Sequence, residues 1–168
     1  MNGEGTGSPL CLLEDVIIFE KAAPGVNSPG LIRFARQARR LAGVRGEVSI
    51  LVAGNRRIQE LNRRFRRKNK PTDVLSFPRD GGGDIAISSD IARHNAARYG
   101  HSTASELKVL VLHGMLHLAG HDHESDNGSM AKLEGKLRAR LKLPLSLIER
   151  ASEPAKKQTR PPARRQSR

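Results

Sequence analysis

The run TASELKVLVLHGMLHLAG, residues 103–120, constrains the fold more than any other part of the chain. From Leu107 to Leu118 it is apolar on nearly every side, through Val109, Leu110, Val111, Leu112, Met115 and Leu116. A helix apolar all round is a buried one, so the rest of the chain must wrap it. Thr103, with Glu106 three residues on, fits a capping box at its start, and Gly120 sits where a C′ glycine belongs. Into this apolar surface the sequence sets His113 and His117, four residues apart and therefore on one side, one turn apart. Each buried ring nitrogen left without a partner costs about 1–3 kcal/mol.

A metal ion supplies a partner to both imidazoles at once. Gly120 allows a left-handed turn, which can bring His121, Asp122 and His123 back over the helix end. A third ligand from that turn would complete a three-ligand site with an open position, the catalytic form of zinc. Structural zinc takes four protein ligands and often cysteine; the one cysteine, Cys11, is remote in sequence and reads as a small apolar residue. Zinc is the first candidate on ligand softness and availability. Position 114 is glycine where the H-E-x-x-H peptidases carry their glutamate base, which speaks against proteolysis but not against activated water. His94 and His101 lie outside the cluster and read as surface residues.

Four segments around this helix read as strands: 15–20 (DVIIFE), 47–53 (EVSILVA), 72–78 (TDVLSFP) and 83–88 (GDIAIS), the last two joined by a Gly-rich turn. Residues 23–30 read as a loop. Residues 31–42 form an amphipathic helix with Leu31, Phe34, Ala35, Ala38, Leu41 and Ala42 inward. Residues 55–66 form a second, with Asn55 as N-cap and Ile58, Leu61, Asn62 and Phe65 inward. A third spans 88–100, opening at Ser88 or Ser89, and a last one spans 124–141, capped by Ser125 or Asp126. Strands alternating with helices predict an α+β fold in one compact domain, a mixed sheet of about four strands packed by about five helices. The domain is expected over 11–150, between a flexible N-terminus (1–10) and a Pro-rich, basic, disordered tail (151–168).

Net charge is +13, a field that attracts polyanions and nucleic acid first among them. Eight basic residues (Arg56, Arg57, Arg63, Arg64, Arg66, Arg67, Lys68, Lys70) stand against Glu60 in one stretch. Most belong to a solvated helix face, but together they make a phosphate track, and one guanidinium could hold a phosphate bidentately. The scarcity of aromatics in this region weakens a stacking platform for single strands. With no signal peptide and no apolar run of membrane-spanning length, the chain reads as a soluble protein of a reducing cytoplasm, with no membrane partner.

Three segments together resemble the YbeY family of bacterial metal-dependent endoribonucleases: LNRRFRRKNKPTDVLSFP (61–78), GDIAIS (83–88) and HGMLHLAGHDHES (113–125), with Met130 and Glu134 downstream. The likeness covers about residues 12–145. It implies a compact α+β domain with a zincin-like metal helix and one zinc ion in a basic cleft. By position, His113, His117 and His123 match the family's zinc ligands. Arg66, after Phe65, matches an arginine held important for RNA cleavage, so Arg66 and His113 are the expected catalytic residues. The resemblance further implies cutting of single-stranded ribosomal RNA, in maturing the 3′ end of small-subunit (16S) RNA and in ribosome quality control. The expected partners are that RNA and the small ribosomal subunit with its proteins, met by a monomer. Asp84 and Asp122 are second candidates, to orient a ligand imidazole. One departure is His121, where the family usually has tyrosine; it is expected to be a tolerated surface change. The rival reading is a non-catalytic ribosome assembly factor with a structural zinc.

Overall fold

The computed structural model describes residues 15–123 and 126–144. Cys11, Ser125, the N-terminal segment 1–10 and the tail 151–168 lie outside them. The elements follow in the order β1 (Val16–Phe19), α1 (Ser28–Ala42), β2 (Val48–Ala53), α2 (Asn55–Arg66), β3 (Val74–Arg79), β4 (Gly82–Ser88), α3 (Ser89–Tyr99), α4 (Thr103–Leu118) and α5 (Ser129–Arg140). The α+β fold is as the alternation of elements predicts, with a four-stranded sheet in the order β1-β2-β4-β3. The strands β1, β2 and β4 run parallel, and β3 returns antiparallel along β4.

Alternation of side chains along the strands gives the sheet two unlike faces. Val48, Ile50, Val52, Ile85 and Ile87 turn to one side and build the main core with α1, α4 and α5. Leu75, Ala86 and Ala53 turn to the other, where Ile58 of α2 closes a smaller core. Helix α4 lies at the centre of the first layer, against α1, α3, α5, β3 and β4. Its close approach to the sheet depends on Gly114: a Cβ there would stand 2.9 Å from Cδ1 and Cγ2 of Ile85. A glutamate at position 114 would therefore crowd the sheet.

Several helix ends differ from expectation. Helix α1 begins at Ser28, because Asn27 caps it by accepting from the Gly30 N–H and because Pro29 falls in the first turn, where its lost N–H costs nothing. Gly54, not Asn55, is the N-cap of α2; the Asn55 side chain instead accepts from Ser88 Oγ at 2.6 Å. Ser102, not Thr103, caps α4 by accepting from the Ser105 N–H. That leaves Glu106 one position too late for a capping box, and it points inward to His101, 2.6 Å away. His101 is thus partly buried rather than a surface residue, while His94 is exposed as expected. Helix α5 starts at Ser129, its entry held by Asp126, which accepts from the N–H groups of Gly128 and Met130.

Candidate metal centre

Helix α4 carries His113 and His117 to the end of the central layer. The chain then stops as the glycine foretold. Gly120 takes φ +89°, its N–H donates to His117 O, and His121 N–H donates to Leu116 O. This Schellman pair reverses the chain. It puts the His123 ring 5.4 Å from each of the rings of His113 and His117. The structure thus brings His113, His117 and His123 together, with one candidate ligand atom from each lying within 4.8 Å of the others. His121 spends its backbone on the turn and stays outside the cluster.

His113 is 5% exposed and its Nδ1 lies 3.0 Å from Oε1 of Glu134, on α5 and itself 1% exposed. An ionised carboxylate only accepts, so Nδ1 donates and the Nε2 lone pair is left facing the cluster. There it meets His117 Nε2 at 3.1 Å. Burial lowers the His117 pKa to about 4; the neighbouring His113 and then His123 push the same way, Asp122 opposes, and Arg66 adds a smaller depression. A neutral imidazole aimed at a second imidazole is the state a metal requires.

The donor set fits zinc. Nitrogens bound tetrahedrally at about 2.0–2.1 Å stand roughly 3.3 Å apart, close to the His113–His117 separation. Among the described residues no cysteine or carboxylate joins the cluster, so the set is three imidazoles with a position to spare.

Arg66 stands exposed in the last turn of α2, near enough for its charge to act on His117. Arg56 and Arg57, at the other end of α2, pair with Glu60, and Arg57 also with Glu20. Asp84 is not an orienting group for the histidines: it faces away on β4 and binds Arg79 at 2.8 Å. Asp122 is exposed, and its charge raises the His117 pKa against the other influences. The group that orients a candidate ligand is Glu134, which the sequence offered only as part of the family likeness. Its one local signal is a glutamate among the inward positions Met130 and Leu137 of a helix.

Fold and site together define an α+β domain that gathers three imidazoles at the end of a buried helix, within reach of the charge of an arginine on another helix. The family model for Endoribonuclease YbeY matches residues 30–142. The chain belongs to the YbeY endoribonuclease family. It is 58% identical over 145 residues to the Endoribonuclease YbeY of Koribacter versatilis, covering 84% of this chain and 95% of that one. It is 45% identical over 136 residues to that of Solibacter usitatus, covering 80% and 92%. A solution structure of a Thermotoga maritima protein matches with a TM-score of 0.52 at 26% identity, over 84% of this chain and 99% of that one.

Proposed function

We propose that the chain is a zinc-dependent endoribonuclease that cuts single-stranded ribosomal RNA, in maturation of the 16S 3′ end and in ribosome quality control. The observation that carries the reading is the convergence of His113, His117 and His123 within 4.8 Å, with Arg66 acting on His117. The three imidazoles would hold one zinc ion, which when bound supplies a Lewis acid toward phosphate oxygen and water.

The chain's own residues do the rest. Glu134 holds His113 in one tautomer and one orientation. Arg66 grips the phosphate with its planar guanidinium and offsets charge that grows there as the bond breaks. The basic face of α2 draws the RNA backbone in and sets the salt dependence of binding. The protein works as a cytoplasmic monomer, on the small ribosomal subunit and its proteins. No helix among the described residues is long and apolar enough to cross a membrane.

The test is cleavage of a single-stranded 16S 3′ precursor before and after chelation. Cutting that stops with chelator and returns with zinc supports the reading. RNA bound tightly but uncut at full zinc occupancy would make the chain an assembly factor with a structural metal.

A further inference from the structure

Helix α2 covers only part of its face of the sheet. Two rows of side chains on that face follow from the strand register: Ile18, Leu51, Ala86 and Leu75 in one, Val16, Ser49, Asp84 and Phe77 in the next. Ile58 of α2 seals Leu75 and Ala86. Beyond them the floor is open, with Val16 47% and Ile18 52% exposed. The result is a groove of about 450 Å³, floored by Ile18 and Leu51 and walled by Leu61, Phe65 and Phe77. A contiguous apolar hollow of that size is characteristic of a ligand site rather than of scattered surface residues.

Phe65 is the feature that selects the occupant. The helical pattern turns it inward, yet it is 56% exposed. Its ring is held edge-on by Phe77 at 5.0 Å between centroids, and the Arg64 guanidinium lies 5.3 Å from its centre. The ring is therefore held, partly bare, and flanked by the exposed Arg64 on its own helix, with Arg79 at the groove's end, where it is paired with Asp84. An apolar peptide would have to pass this rim without matching it. A nucleotide matches both parts, with a flat π-face for the ring and a phosphate for the guanidinium. Arg66, the next residue in the chain, is the arginine whose charge reaches His117.

We propose that this groove is a base-binding site in which Phe65, backed by Phe77, stacks one unpaired base of the RNA. Phe65 and Arg66 are consecutive at the end of α2, so the base and the phosphate proposed for Arg66 would belong to one RNA strand. The preference for single-stranded RNA then has a physical source, because a paired base offers no free face to Phe65. The inference rests on the RNA-cutting function proposed above and adds a subsite to it.

The chain has no tryptophan, so Phe65→Trp places one reporter in the groove. The full-length, zinc-loaded variant would be titrated at physiological salt with a short 2′-O-methyl oligouridylate and with an abasic spacer of equal length. Saturable quenching by the oligouridylate and none by the spacer is expected. In anisotropy, Phe65→Ala should bind the oligouridylate about 10-fold more weakly, with its melting temperature and zinc content unchanged. Unaltered fluorescence at saturating RNA, or unaltered affinity of Phe65→Ala, would overturn the site and leave the groove to a protein segment. If that happens while wild type still cuts RNA, only the base site falls. If no version binds or cuts RNA, the functional reading falls with it.

Discussion

Glu134 Oε1 lies 3.0 Å from His113 Nδ1, in a pair buried between α4 and α5. That contact decides which nitrogen of His113 faces the other two imidazoles. Glu134→Gln keeps the shape but can present an amide N–H to Nδ1 and so favour the wrong tautomer. Zinc affinity should fall about 10- to 100-fold, as for other carboxylates that orient a metal-binding imidazole. Competition against a chromophoric chelator measures it. Wild-type affinity in the variant would show that Glu134 only packs.

Acid should loosen the metal-free fold through His117. Its folded pKa, about 4, lies below the 6.5 of a free imidazole. Between those values the unfolded chain binds the extra proton and the folded chain does not, so stability falls as pH drops from 6.5 toward 4. Urea midpoints of metal-free protein at neutral pH and near pH 4.5 measure the fall. His117→Gln should show a smaller one, since the carboxylates titrate equally in both proteins. Equal falls would place the acid sensitivity elsewhere. Protons compete for the same nitrogens, so zinc affinity should also weaken in acid.

Gly114→Ala tests the packing of α4 on the sheet. Alanine gains roughly 1 kcal/mol over glycine in a helix interior. Overpacking against the buried Ile85 costs about 1–3 kcal/mol, so a net loss is expected. Thermal or urea denaturation reads it. Adding Ile85→Val removes the crowded Cδ1, and the double variant should lose less than the two single losses together. A stabilised Gly114→Ala would mean that helix and sheet stand further apart.

Much of this was legible in the chain because two signals are local. Strand alternation and helical periodicity place the four strands and five helices of the described residues to within a few residues, except that α5 starts five residues later than expected. The apolar encirclement of α4 points to His113 and His117, and the glycine at 120 to a third ligand from the turn, which the family likeness narrows to His123. What stayed hidden depends on distant elements. Glu134 sits 21 residues from His113 and becomes its partner only when α5 folds onto α4. His101 reads as a surface residue until the start of α4 turns Glu106 toward it. Phe65 shows the limit most clearly. Periodicity says which side of α2 faces the sheet, not how much of the sheet lies beneath, and the open floor beside Phe65 follows from strand order alone.

The most direct test sets wild type beside Arg66→Ala, at equal zinc content and equal helicity, on a single-stranded 16S 3′ precursor. Arg66 lies outside the proposed ligand set, so its loss should spare fold and metal and reach only the reacting phosphate. Cutting by wild type is expected, with the variant slower by about 10²–10³, the usual loss when one charge-stabilising donor is removed. Equal cutting by both proteins would contradict the role given to Arg66, and no cutting by either, with zinc and RNA bound, would contradict the nuclease itself.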